Sequence, residues 1–307
     1  MQDKNEREGT QMEAFLHDLS WVPPLRSDLL THVFNGFTFL GYLPFFLIFL
    51  PMGYWLGDKG VFTRLVVLVG IVALTNSFLK DLFQDPRPDL QFAIDKRVGN
   101  SFGFPSGHAQ IAVAMWFWLA LEARRTWVWI LATIVAAGVC FSRLYLGVHD
   151  VEDVLGGALL GVATVVIYAG FLSPEFERLQ KLPLVVWLVA IAALVPILWK
   201  IWPHDPLSEA VPGVAALMLF WLLGHRIQVS FIGYQRHANT IVAFIASAAA
   251  VAAMFFGFVQ LGKFLALHGV DRMHTLVIQM GFMALVATLV VPTLFRAVGL
   301  SSAADKS

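Results

Sequence analysis

The chain has 307 residues, of which 58% are hydrophobic and 14% charged, with 21 basic and 21 acidic side chains. An ordinary soluble domain carries about 25% charged residues, so one water-soluble core cannot hide this much apolar surface and part of the solvent must be lipid. Zero formal net charge removes the basic excess expected of a nucleic-acid partner, and a single cysteine, Cys140, excludes an intrachain disulfide.

Residues 1–28 are polar and mixed in charge. They hold no compact apolar stretch followed by small residues, so no cleaved leader is expected. Trp21 to Leu25 reads as an interfacial lead-in to the first crossing. Nine apolar runs follow, near 29–55, 61–82, 107–122, 126–143, 150–172, 183–201, 208–225, 238–262 and 273–297. A membrane helix needs roughly 20 residues. The expected fold class is therefore all-α, a polytopic transmembrane helical bundle of about nine spans. The run at 107–122 is short, and Pro212 interrupts the seventh. The chain divides into a polar segment 1–28, a core 29–172 with five spans, and a further membrane region 173–307 with about four. Tryptophans such as Trp55, Trp127, Trp187, Trp199 and Trp202 fall near run ends, where aromatic belts form. Trp116, Trp118 and Trp221 are expected between helices.

The connection 83–106 is longer than most others, and long ordered loops on a rigid scaffold often carry function. It opens on Asp85-Pro86-Arg87-Pro88 and closes on Phe104-Pro105-Ser106. Three polar clusters fall at run ends on one shared face. They are Lys80 with Arg87-Pro88, then Pro105-Ser106-Gly107-His108, then Ser142-Arg143 with His149 and Asp153. Setting Lys80, Arg87 and Arg143 aside, ten basic residues fall on the opposite face and eight on this one. The positive-inside rule then puts the clusters outside the cytoplasm. The expected location is a bacterial inner membrane, with the site toward the periplasm or exterior.

A phosphoryl group in transfer spreads negative charge over three oxygens, and catalysis is mostly positioning and electrostatics. Lys80, Arg87 and Arg143 supply three cations that need no metal ion or other cofactor. Ser106 and Gly107 stand where the third run begins; a helix start offers free N–H groups to an anion, and glycine allows close approach. His149 and Asp153 are one helical turn apart, so the carboxylate can hold the imidazole in one tautomer. His108 is left to protonate a leaving alkoxide.

These eleven residues, in this order and spacing, resemble the type 2 phosphatidic acid phosphatase superfamily, which includes lipid phosphate phosphatases, vanadium haloperoxidases and glucose-6-phosphatases. The likeness covers about 80–172. It implies a phosphohistidine at His149, acid catalysis by His108, phosphate binding by Lys80, Arg87, Ser106, Gly107 and Arg143, and a helical-bundle core. The context Gly103 to Gln110 is similar to the sphingosine-phosphate branch. The implied function is hydrolysis of lipid phosphate esters, with membrane lipids as the surroundings. Two alternatives stay open: a phosphatase of soluble sugar phosphates, and a transporter on the same scaffold. The second is disfavoured by run interiors nearly free of charge. His268, Asp271 and His274 form the best remaining metal candidate and read as a solvated loop; Lys96 and Arg97 read as loop cations or as ligands of a second phosphate.

Overall fold

The computed structural model describes residues 16–98, 101–172, 178, 182–203, 208–236 and 239–301. Within them the chain is helical, and the only β-type pairing is an isolated bridge between Arg236 and Ser301. The first half holds α1 (Asp28–Phe39), α2 (Leu43–Leu56), α3 (Lys59–Phe83), α4 (Gly107–Ala123), α5 (Thr126–Tyr145) and α6 (Val151–Ile167). The second half holds α7 (Leu184–Ile201), α8 (Ala210–Ile227), α9 (Thr240–Leu267), α10 (Arg272–Leu285) and α11 (Val291–Ala297). Single π turns extend α6 and α8 and join α10 to α11.

Six described helical stretches are long and apolar enough to cross a membrane, or seven if α1 and α2 form one broken span. The chain is thus a helical integral membrane protein, while the expected count of nine is not confirmed. Each apolar run is helical, but the run at 107–122 yields only the 17 residues of α4. The first run breaks at Leu40-Gly41-Tyr42.

The chain separates into two compact units. One comprises the described residues up to Tyr42 with Thr75–Tyr168; the other comprises Leu43–Leu74 with the described residues from Ala169 onward. Every expected site residue belongs to the first. Tryptophan placement follows expectation in part. Trp127 and Trp199 are exposed and Trp221 is buried, but Trp55 is also buried, its indole N–H held by the Ala287 carbonyl at 2.7 Å. That bond satisfies a polar group which would otherwise need the interface.

In the first unit, α4 packs between α5 and α6. Lipid tails are as apolar as the helices, so association rests on close packing. Glycines of α6 supply it, as expected. A Cβ on Gly156 would meet the Phe104 ring at 2.3 Å, one on Gly157 the Ser106 carbonyl at 2.4 Å, and one on Gly161 the Gln110 carbonyl at 2.7 Å. The loop before α4 is pinned from both ends of the unit. Arg26 donates to the carbonyls of Phe92 and Tyr145, and Ile94 N–H to that of Leu146. Gly147 makes this possible: its φ is +69°, and a Cβ there would lie 1.9 Å from the Phe92 oxygen.

Because the atom facing Gly157 is backbone, it cannot swing aside. Gly157→Ala is expected to cost about 1–3 kcal/mol of stability, the usual penalty for overpacking. Thermal unfolding in detergent reads it, and an undiminished midpoint would show that α4 and α6 separate freely.

Candidate functional site

His149 lies in the turn before α6, and Asp153 in the first turn of that helix. Imidazole Nδ1 meets Asp153 Oδ2 at 2.7 Å, with both side chains almost wholly buried. Arg87 Nη1 approaches the other ring nitrogen, Nε2, at 3.2 Å. A guanidinium only donates, so Nε2 accepts and the ring proton sits on Nδ1, where it donates to Asp153. Burial, and then the charges of Arg87, Lys80 and Arg143, push the His149 pKa well below its usual value. The ring is therefore neutral, with its lone pair on Nε2.

Asp153 does more than hold the ring. Asp150 and Asp153 form a capping box that starts α6: the Asp150 carboxylate accepts the Asp153 N–H at 3.0 Å, and the Asp153 carboxylate accepts the Asp150 N–H at 3.4 Å. Its backbone carbonyl takes the Ser106 N–H at 2.9 Å. The second and third clusters are thereby bonded to each other.

The three expected cations reach the same place from three segments. Arg87 is fixed by the Ser101 carbonyl (2.6 Å), the Ser101 hydroxyl (2.8 Å) and the Val148 carbonyl (2.7 Å). Lys80, in the last turn of α3, donates to the carbonyls of Phe102 and Gly103, the latter at 2.6 Å. Arg143 ends α5, almost fully buried, and its Nη1 reaches Thr38 Oγ1 and, at 3.5 Å, Asp95 Oδ2. Ser106 Oγ, His108 Nε2, Arg143 Nε and Asp153 Oδ1 are buried with no partner among the described residues. An unpaired buried polar group costs on the order of 1–3 kcal/mol. The Ser106 hydroxyl and Arg143 Nε, beside Lys80 and Arg87, make a cradle with donors to spare for a ligand that carries acceptor oxygens.

Gly107 stands apart from this set. It begins α4 as expected, but the space left by its missing side chain faces Asn76, whose Oδ1 would lie 2.8 Å from a Cβ. Asn76 in turn donates to the Pro105 carbonyl (3.1 Å) and Gln110 (3.0 Å), fixing the start of α4 against α3.

His108 is seated by residues that sequence reasoning missed. Gly41 opens space for it, since a Cβ would lie 2.2 Å from His108 Cδ2. The Tyr42 ring meets the imidazole edge to face at 4.6 Å, and its hydroxyl donates to Asp95 Oδ2 at 2.6 Å. Burial pushes the Asp95 carboxyl up, yet hydrogen bonds from Arg97 and Tyr42 and the Arg143 charge outweigh it and hold the pKa at about 2. Thr38, Tyr42 and Asp95 carry no spacing signal. The one available clue is that an arginine buried in apolar surroundings demands a carboxylate, and Asp153 is already taken by His149.

His268, Asp271 and His274 do not converge on a common point. His268 bonds the Phe264 carbonyl, and Asp271 caps α10 with His274 as its partner at 2.5 Å. His204 and His237 lie outside the described residues.

Residues 61–177 match the family model described as PAP2 superfamily. The chain is 34% identical over 170 residues to phosphatidylglycerophosphatase B of Bacillus subtilis (strain 168), covering 51% of this chain and 82% of that protein. It is 31% identical over 144 residues to sphingosine-1-phosphate phosphatase 2 of Mus musculus, covering 44% of this chain. The match spans about two fifths of the mouse protein, 41% of its length. Among solved structures, the crystal structure of a transmembrane PAP2-type phosphatidylglycerolphosphate phosphatase from Bacillus subtilis matches at 29% identity and a TM-score of 0.45, covering 56% of this chain and 88% of that one.

A cradle of this kind is expected to bind inorganic phosphate and to be stabilised by it, by about 2.7 kcal/mol at 100 times the dissociation constant. Arg87→Gln, on the exposed side of the cradle, is expected to weaken the shift. Thermal unfolding in detergent across a phosphate titration measures both, and no shift in the parent protein would count against an oxyanion site.

Proposed function

The chain belongs to the PAP2 superfamily, and from that membership we propose that it is a phosphatase hydrolysing lipid phosphate esters through a phosphohistidine on His149. The observation that carries the reading is the His149 ring, oriented by Asp153 through Nδ1 at 2.7 Å with Nε2 turned toward Arg87 at 3.2 Å. In the first step Nε2 attacks phosphorus and the bond to the lipid oxygen breaks. Lys80, Arg87 and Arg143 neutralise the phosphoryl oxygens, Arg87 giving up its bond to Nε2 as phosphorus takes that place. The start of α4, with Ser106 and Gly107, adds N–H and O–H donors. A bound dianion favours the protonated form of His108, which passes its proton to the departing alkoxide. In the second step neutral His108 takes a proton from water, whose oxygen attacks phosphorus, and the P–N bond breaks. Asp153 stabilises the charge that His149 carries while phosphorylated. None of these steps calls on a metal or another cofactor.

We assign catalysis to 29–172 and treat 173–307 as accessory membrane helices. The shorter α4 and α7 serve in this proposal as further crossings, in keeping with a span count near nine. The substrate head reaches the site from the leaflet with its tail in lipid. The balance of basic residues supports an extracytoplasmic site, and the membrane in this proposal is a bacterial inner membrane.

Purified protein in detergent with a chelator is expected to release phosphate from one or a few lipid monophosphates, and His149→Ala to lose that activity while keeping its fold. The panel includes glucose 6-phosphate. Faster release from the sugar ester would replace the lipid reading, and normal turnover by the variant would remove His149 from the mechanism.

The pH profile tests the electrostatics. Protonation of Nε2 abolishes nucleophilic attack, so a lowered His149 pKa carries activity further into acid. The acid limb of kcat/KM is expected below the usual histidine range near 6.5. Arg87→Gln removes one lowering charge and is expected to move that limb upward on the same substrate. A limb that stays in place, or moves down, contradicts the assignment.

A further inference from the structure

Arg97 is a fourth cation at the site, outside the three clusters, on the short turn Lys96–Val98. Its side chain is half exposed, 52%, yet it is held from several directions. Nε donates to Asp95 Oδ1 at 2.8 Å, and Nη2 to Asp95 Oδ2 at 3.3 Å and to Asn35 Oδ1 at 3.2 Å. The guanidinium lies over the Tyr42 ring, 4.5 Å from its centroid. The same ring touches His108 at 4.6 Å, so one aromatic side chain links Arg97 to the imidazole.

Two features set this arginine apart from an ordinary loop cation. The first is charge. Asp95 is a single carboxylate shared by two guanidinium groups, Arg97 and the buried Arg143, so the trio keeps one net positive charge. The second is preorganisation. A long exposed side chain normally moves among many rotamers, and fixing it costs conformational entropy. Here Asp95, Asn35 and the Tyr42 face fix it beforehand, while Nη1 carries no bond among the described residues. A rigid cation with a spare donor edge is what bidentate or charge-assisted anion recognition needs.

Its position decides what it meets. His108 is the acid in the proposed reaction, so the alcohol leaves on the His108 side of the phosphorus, and Arg97 is one ring contact beyond. Whatever the leaving alcohol carries a few bonds from its oxygen comes within its field. We propose that Arg97 forms a second anion subsite that reads the leaving group: it favours lipid monophosphates whose alcohol bears a further anionic group, such as a phosphodiester, and disfavours those bearing an ammonium. This rests on His108 acting at the leaving oxygen, and it narrows the substrate class within the proposed phosphatase activity.

The test compares kcat/KM on three probes in detergent: phosphatidylglycerol phosphate, whose leaving group carries an anionic diester; phosphatidic acid, whose leaving group is neutral; and sphingosine 1-phosphate, whose leaving group carries an ammonium. The full chain is used, with Arg97→Gln and Arg97→Lys beside it. Arg97→Gln is expected to lower the ratio of phosphatidylglycerol phosphate to phosphatidic acid about tenfold or more, mainly through KM, as loss of a charge-assisted bond does. It is also expected to raise the ratio of sphingosine 1-phosphate to phosphatidic acid. Arg97→Lys keeps the charge and loses the fork, and is expected to fall between. Equal loss on all three probes, with ratios unchanged, would mean that Arg97 only anchors the loop and would overturn the subsite. No turnover of any probe by folded parent protein would overturn the phosphatase reading and this proposal with it. A fall confined to the ratios in an otherwise active enzyme leaves both standing.

Discussion

Lys80, Arg87 and Arg143 bring like charges into one partly buried space, where each repels the others and burial strips away the water that would stabilise them. The surrounding structure answers that cost piece by piece. Lys80 and Arg87 spend donors on loop carbonyls, Arg143 is faced by Asp95, and Asp153 brings a second carboxylate among them. What stays uncompensated is positive, and beside it the Ser106 hydroxyl and Arg143 Nε find no partner among the described residues. An oxyanion with several oxygens removes the repulsion and completes the bonds together, which is the electrical condition for holding a phosphoryl group through transfer.

The loop between α3 and α4 meets this condition as an ordered part of the scaffold. Its carbonyls at Ser101, Phe102 and Gly103 orient two of the cations, and Asp95 within it serves two arginines. Its anchoring at Phe92 and Ile94 relies on Gly147, where both the backbone conformation and the available space exclude a side chain. The residues that shape the site therefore lie partly outside the clusters that bear the chemistry. A change at Gly147 or Arg26 acts on the cations through the path of this loop.

What could be read from the sequence was whatever local spacing encodes. His149 and Asp153 stand four residues apart across the start of α6, and that short separation brings them together within one local segment. The apolar runs declare helices, and the glycines of α6 declare a close neighbour. The seating of His108 was not legible, because Gly41, Tyr42 and Asp95 come from a helix break and a distant loop and meet only through tertiary packing. Trp55 shows the same limit: its place near a run end fits an interface as well as a core, and only the carbonyl of Ala287 decides between them. The span count was obscured because apolar runs give helix positions, while crossing a bilayer also depends on length and on breaks such as the one at Gly41.

Asp153 holds His149, the proposed nucleophile, closes the start of its own helix and accepts the backbone bond that fixes Ser106. Three tasks on one side chain and its peptide leave it little freedom to drift over generations. Glutamate would move the carboxylate outward by a methylene, displacing it from the imidazole and from the Asp150 N–H at once. Asparagine would set a neutral amide against a ring that carries charge in the proposed reaction. The position is thus isolated in sequence space, with no single-step neighbour that keeps all three tasks.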